Sequence, residues 1–322
     1  MNKPFSIGDT IKREARSLGF DAVGIAAVSA PSFSQNLFDR LQDWLGRGYH
    51  AKMTWLARHP ARRADPQKVL PGCRSLISVG MNYDTGHRAI EGPGYGRIAR
   101  YAWGRDYHLV FGDRLAALET RIKEMAPEAV TRSYVDTGPI MEKAWAQQAG
   151  LGWIGKHSNL VSSEYGSWLL LGEILTTLEL PPDEPATDLC GSCALCVKAC
   201  PTNAIVEPYV LDAGRCISYL TIEFRGTSED VPTDLTTRMG DHIFGCDDCL
   251  DVCPFNLRGE RTTEPAFAPT SATLNPHLEE LASLDDVAFN EQFHESPVKR
   301  AKLQGLKRNI GIARKNQTGA HR

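Results

Sequence analysis

The sequence predicts an α+β protein in three parts: an α/β domain over residues 1–180, a ferredoxin-like unit for two [4Fe–4S] clusters over 181–260, and a short helical, basic part over 261–322. Three observations predict it. Helix-like and strand-like stretches alternate through the first part. Eight of the nine cysteines fall between Cys190 and Cys253. Two proline-containing stretches, Leu180–Pro185 and Thr262–Pro276, bracket the cysteine region as linkers do.

The opening IKREARSLGFDAVGIAAV reads as an amphipathic helix closed by Gly19 and followed by a short strand. Ser75–Tyr83 (SLISVGMNY) reads as a buried strand after the Leu70-Pro71-Gly72 turn. Leu115–Met125 is helix-like and Arg132–Val135 strand-like. Pro139–Ala149 reads as a helix, with Pro139 in its first turn and Gly150 past its end. Trp168–Leu180 is an apolar, strand-like run with room for a hairpin. Towards the C-terminus, Leu278–Asp286 predicts an acidic helix, and Ser296-Pro297 opens a basic one that runs into AKLQGLKRNIGIARK.

The cysteines carry the most specific chemistry. The first run is Cys190-x2-Cys193-x2-Cys196-x3-Cys200-Pro201. The second is Cys246-x2-Cys249-x3-Cys253-Pro254, with Cys216 alone between them. In the bacterial ferredoxin run the fourth cysteine ligates the other cluster. That rule assigns Cys190, Cys193, Cys196 and Cys253 to one [4Fe–4S] cluster, and Cys200, Cys216, Cys246 and Cys249 to the second. Zinc also takes paired C-x2-C units, but as two separated pairs rather than three cysteines at x2 spacing ending in C-x3-C-P. Disulfides fit poorly, because the opening MNKPFSIGDTIKREA has no apolar signal segment, which predicts the reducing cytoplasm. Cys73, in LPGCRSL, reads as a small buried apolar residue.

At 322 residues the chain is too long for a ferredoxin alone. With 42% apolar and 23% charged residues it has a globular composition, and no apolar stretch is long enough to cross a bilayer. The net charge of −3 means that any acidic partner must be met by local basic patches.

Four other stretches are candidates. In Ser133–Ile140 (SYVDTGPI), Asp136 sits where a strand ends and a helix begins; it is either a catalytic carboxylate or a cap of that helix. Leu151–Leu160 (LGWIGKHSNL) is either a glycine-flanked ligand loop or an ordinary turn. Arg100–His108 (RYAWGRDYH) mixes aromatic and basic groups, as stacking against a base would need, or as a core would. Basic residues gather over Arg47–Arg63 and in the tail, from Lys299 to Lys315; these are nucleic-acid patches or solvated faces.

Taken together, RYAWGRDYH, VDTGPIMEKAWAQQAGLGWIGK, CGSCALCVKACP, CISYLTIE and CDDCLDVCPFN, in this order, resemble the epoxyqueuosine reductase family. The resemblance covers most of the chain, from LGFDAVGIA through RNIGIA. It implies a nitroreductase-like α/β domain that binds cobalamin beside two [4Fe–4S] clusters, as in reductive dehalogenases. The implied reaction removes the epoxide oxygen of epoxyqueuosine at the wobble position of a tRNA anticodon. The family's proposed proton donor corresponds to Asp136. The loop carrying Trp153, Lys156, His157 and Asn159, and the segment carrying Ser218, Tyr219 and Thr221, would lie near the corrin. Tyr101 and Trp103 would contact cofactor or tRNA, and Arg62, Arg63, Arg300, Lys307 and Arg308 would meet tRNA. The expected partners are this tRNA and a separate electron donor; a monomer is expected, and no membrane.

Longer members of that family continue past the RN-x-x-IA segment into HEAT-like helical repeats, whereas this sequence ends at Arg322, which leaves the extent of the tRNA surface open. Two other readings compete. One is a cobalamin-dependent reductase of a small organic molecule, of dehalogenase type. The other is an electron carrier that does no chemistry itself.

Overall fold

The computed structural model describes residues 6–28 and 31–319. The opening Met1–Phe5 segment, part of the stretch read as lacking an apolar leader, lies outside the described residues. The first helix, Ile7–Ser17, starts at a capping box in which Ser6 and Asp9 satisfy each other's backbone N–H groups. It buries Ile11 and Ala15 and ends before Gly19, whose φ of +88° suits glycine.

A four-stranded antiparallel sheet is the frame, in the order Ala22–Ala27, Ser75–Asn82, Leu169–Thr176, Thr131–Tyr134. Ser75–Asn82 is buried along its whole length, because helices cover both sheet faces. On one face Ile77, Val79, Met81 and Ile174 meet the helices Ile7–Ser17 and Tyr107–Met125 through Ile11, Phe111, Leu115 and Leu118. On the other, Leu76 and Leu175 meet Leu37 of the helix Pro31–Gly46 and Trp145 of the helix Glu142–Gln148. The two-residue alternation of the strands thus sorts the core into two layers.

Several elements differ from expectation, each for a local reason. Trp168–Leu180 is one strand, not a hairpin, since Leu169–Thr176 has a neighbour on both sides. The helix expected from Leu115 begins at Tyr107, where the Asp106 side chain accepts from the His108 N–H. The helix expected from Pro139 begins only at Glu142, because the preceding residues form a tight turn. The acidic helix is two short ones, Leu278–Ser283 and Asp286–Gln292, the second capped by Asp285. The basic helix is interrupted at Lys302 (φ +60°), between a 3-10 turn Pro297–Ala301 and the helix Lys302–Gly319.

The cysteine-bearing helices Leu195–Ala199 and Asp248–Asp251 pack against each other. The boundaries expected at 180 and 260 do not separate independent cores. The C-terminal helices share one core with Ile98, Ala102, Trp103, Ile243 and Phe244. Strand His242–Phe244 pairs in parallel with Arg97–Ile98, and Asn309 donates to both Thr221 O and Ile243 O, each at 2.8 Å. Among the described residues, no helix is long and apolar enough to cross a membrane.

Gly24 sets the distance between sheet and helix. A Cβ there would lie 1.9 Å from the Ala149 carbonyl oxygen, at the end of the helix Glu142–Gln148. Backbone would have to move, so Gly24→Ala is expected to destabilise the fold by about 1–3 kcal/mol, read as a lower thermal midpoint with cluster absorbance retained below it.

Candidate active site

The strand Thr131–Tyr134 delivers the chain to a γ-turn centred on Asp136. The Thr137 N–H donates to Val135 O at 2.5 Å, and Asp136 has φ +55°. A γ-turn with positive φ is strained, and such a residue costs on the order of 1–3 kcal/mol. Gly138 lets the loop fold onto the Tyr134 ring; a Cβ there would lie 2.4 Å from it.

The turn presents the Asp136 side chain to solvent, 66% exposed. The Tyr107 hydroxyl donates to Oδ2 at 3.1 Å, and His108 Nε2 lies 3.9 Å away. His108 is oriented by its other nitrogen, 2.7 Å from Asp106 Oδ1, and that contact raises its pKa. Burial pushes the Tyr107 phenol up, so it stays a donor. The Asp136 backbone N–H donates to Glu142 Oε1 at 2.6 Å. The strain is therefore held by named contacts.

Two further carboxyls lie below. Glu142 is pushed up first by burial and then by Asp136. Glu173, on the central strand and 1% exposed, is pushed up further, by burial and then by Glu142 and Asp136. Among the described residues, neither Glu173 oxygen has a hydrogen-bond partner. A buried carboxyl in that position is stable only when protonated.

Lys143 marks a cleft: it is open to solvent, yet protein surrounds it closely enough that lost solvation lowers its pKa. Its Nζ donates to Ser158 O at 2.7 Å and lies near Asn159 Oδ1 at 3.4 Å. Glu142, Asp136, Cys249 and Cys216 all lie close enough to act on it. Lys143 is thus within electrostatic reach of both the Asp136 turn and the cysteines. Tyr101 packs edge-on to Tyr107, and Arg63 and Arg300 both feel the Asp136 charge.

All nine cysteines are free. Cys196 has Cys190, Cys253 and Cys193 as its charged neighbours. Cys249 has Cys216 and Cys200, and Cys246 has Cys216 and Cys249. The thiols therefore gather in two groups, adjacent through Cys249 and Cys196. Burial pushes up the thiols of Cys196, Cys216, Cys246, Cys249 and Cys253. Thiols so placed ionise when a metal takes the sulfur. Cys73 stands apart, fully buried, with its thiol pushed up to about 11.

The sequence candidates divide. Trp153 is buried, stacks edge-on to Phe255 and donates to Cys190 Sγ at 3.4 Å. Lys156 donates to Gly191 O and Cys193 O at 2.6 and 2.8 Å. Both brace the first cysteine loop. Asn159 meets Lys143, and Ser218 lies against the Cys216 thiol. His157 is buried and pushed down to about 4, first by burial and then by Lys143; it accepts from the Asn159 N–H.

Four expectations need correction. Trp103 is a core residue whose indole donates to Ile98 O, so it does not face a ligand. Thr221 is fully buried, its hydroxyl bonded to Ile217 O and the Gly245 N–H. Tyr219 is buried too, its hydroxyl accepting from the Lys52 N–H. Arg308 spends its guanidinium on Leu220 O, Phe224 O, Gly226 O and Asn309, leaving no donor for a phosphate. Among the other arginines, Arg300 is paired with Glu223, Arg62 donates to Lys68 O, and Arg63 lies over the Trp55 ring. Lys307 is exposed.

Tyr107, Glu142, Lys143 and Glu173 were missed as site residues. Glu173 had a signal: it is a lone carboxylate inside the apolar run LLLGEILT. Glu142 and Lys143 stand in the block that carries Asp136, but nothing in their spacing shows that they turn back to it.

Two groups of free thiols, with a lysine in reach of both them and the Asp136 carboxylate, are the pattern of an iron–sulfur redox enzyme. Residues 63–137 match the family described as epoxyqueuosine reductase QueG, DUF1730, and residues 189–256 match the 4Fe-4S double cluster binding domain. Epoxyqueuosine reductase of Synechocystis sp. is 46% identical over 89% of this chain and 98% of its own length. That of Salmonella typhimurium is 41% identical over 97% of this chain and 82% of its own. The chain belongs to the epoxyqueuosine reductase family. A crystal structure of epoxyqueuosine reductase with an epoxyqueuosine-modified tRNA-Tyr stem loop superposes with a TM-score of 0.89, at 30% identity over 97% of this chain and 82% of the other. The Bacillus subtilis structure (TM-score 0.86, 29% identity, same coverage) is described with its catalytic aspartate loop swung out of the active site.

Glu173 has a folded pKa above its unfolded one, so its contribution to stability is fully present below the ordinary carboxyl range and is lost as pH rises through the folded value. Glu173→Gln removes that loss. As pH rises above the ordinary carboxyl range, the variant's melting temperature should fall less than that of the wild type. Parallel curves would show that Glu173 is not the titrating group.

Proposed function

We propose that this chain reduces the epoxide of epoxyqueuosine at the tRNA wobble position, giving queuosine and water, with Asp136 as the proton donor. The observation that carries this reading is the Asp136 carboxyl, held by Tyr107 on a turn tied to Glu142 and acting on Lys143 as Cys216 and Cys249 also do. Removing an epoxide oxygen consumes two electrons and two protons; both C–O bonds break, the carbons form a double bond, and the oxygen leaves as water.

The residues fit the cofactors this implies. Two groups of free thiols match two four-cysteine clusters: Cys190, Cys193, Cys196 and Cys253 would hold one, and Cys200, Cys216, Cys246 and Cys249 the other. The cleft beside Lys143 offers an enclosed, unpartnered Ser158 hydroxyl and the Asn159 amide, which suits the polar rim of a cobalamin. When bound, the clusters would pass electrons singly and cobalamin would supply a strongly reducing cobalt.

The chain's own part is then positioning and proton supply. Asp136 would protonate the oxygen as its C–O bond breaks, a general-acid task worth roughly 10²–10⁴-fold. Tyr107 steadies the carboxyl through Oδ2. Arg63 and Arg300 lie near that mouth, where the anticodon backbone would pass, and Lys307 remains free to meet phosphate. An external one-electron donor, a monomeric state and a cytoplasmic site complete the reading. A dehalogenase-like substrate or a carrier role explains less, since neither calls for basic groups at the cleft mouth.

The test is turnover of an epoxyqueuosine-containing stem loop by anaerobically reconstituted protein. Asp136→Asn should keep clusters, cobalamin and tRNA binding while losing about 10²–10⁴-fold in turnover; normal turnover would remove Asp136 from the reaction. Cys216→Ser should lower bound iron by roughly half, as one of two clusters is lost. Unchanged iron and cluster absorbance would refute the ligand assignment. Protein that binds no cobalamin would overturn the reading as a whole.

A further inference from the structure

Asp136 occupies a backbone conformation that an L-residue disfavours, so contacts outside the turn must hold it there. Tyr107 and His108 touch only its carboxyl. The backbone is held by Glu142, whose Oε1 accepts the Asp136 N–H at 2.6 Å. Glu142 is well placed for this. It is the first residue of the helix Glu142–Gln148, which is anchored in the sheet core by Ala144, Trp145 and Ala146. Just before it, the Met141 N–H is bonded to Arg63 O at 3.2 Å. A fixed base therefore carries one short side chain back to the apex of a strained loop.

We propose that Glu142 is a positioning residue: its carboxyl latches the Asp136 N–H and holds the strained turn in the form that presents Asp136 to the cleft. This rests on the reading of Asp136 as the acid. Glu142 acts through the backbone of Asp136 and donates no proton. A side chain with the same oxygen in the same place therefore suffices, whether or not it can ionise.

That property makes the proposal testable in the cluster-loaded, cobalamin-loaded protein with three variants. Glu142→Ala removes the acceptor, Glu142→Asp draws it back by one methylene, and Glu142→Gln keeps it. Hydrogen exchange of the amides of Asp136, Thr137, Gly138 and Ile140, measured without substrate, reads the latch directly. Turnover and KM on the modified stem loop read its effect. In Glu142→Ala and Glu142→Asp, exchange should quicken and kcat should fall by about five- to ten-fold, the size of one lost hydrogen bond, with KM unchanged. Glu142→Gln should restore both. Unchanged exchange in Glu142→Ala overturns the latch. Glu142→Gln as impaired as Glu142→Ala also overturns it, because Glu142 would then be needed as an acid. Faster exchange with normal kcat removes Glu142 from positioning. If Asp136→Asn keeps turnover, the acid reading fails, while the exchange data still decide the latch.

Discussion

The meeting of two short cysteine-bearing helices, Leu195–Ala199 and Asp248–Asp251, is the constraint on which the cleft depends. Neither helix is long enough to be stable alone. Each is useful only against the other, because each group of thiols draws on both stretches of chain. Cys249, on the second helix, lies within electrostatic reach of Lys143, as do Cys216 and the Asp136 that follows the sheet strand Thr131–Tyr134.

The sheet's contribution is electrostatic as well as geometric. The central strand Leu169–Thr176 carries apolar residues that fix the core and one carboxyl, Glu173, that does not belong in a core. Glu173 and Glu142 are two further carboxyls near Asp136, each pushed up by burial. Lys143 gives partial relief from the open side. Such crowding of titratable groups in a cleft is the pattern expected where protons are handled.

The parts legible in the sequence were those with local signatures. Cysteine spacing marked the double-cluster unit, and apolar runs marked the buried strands Ser75–Asn82 and Leu169–Thr176. The aspartate in VDTGP was marked by its place after a strand. Aromatic and basic groups were not legible in the same way, because their role depends on which side of a surface they face. Trp103 and Tyr219 turned inward, and Arg308 became an internal brace between carbonyl oxygens. The Glu142 contact was hidden for another reason: the loop between it and Asp136 folds back, and neither helical nor strand periodicity describes such a turn.

The pairing of Arg97–Ile98 with His242–Phe244, closed by the helix Lys302–Gly319, bears on how the molecule is made. Chain synthesis runs from the N-terminus, so residues 97–103 leave the ribosome long before their partners exist. Until residues near Asn309 emerge, Ile98, Ala102 and Trp103 have no core to enter. The cysteine unit between them emerges in the same interval. The helix Lys302–Gly319 therefore reaches this core long after residues 97–103 are made, and iron delivered earlier would meet thiols whose surroundings are still unfinished.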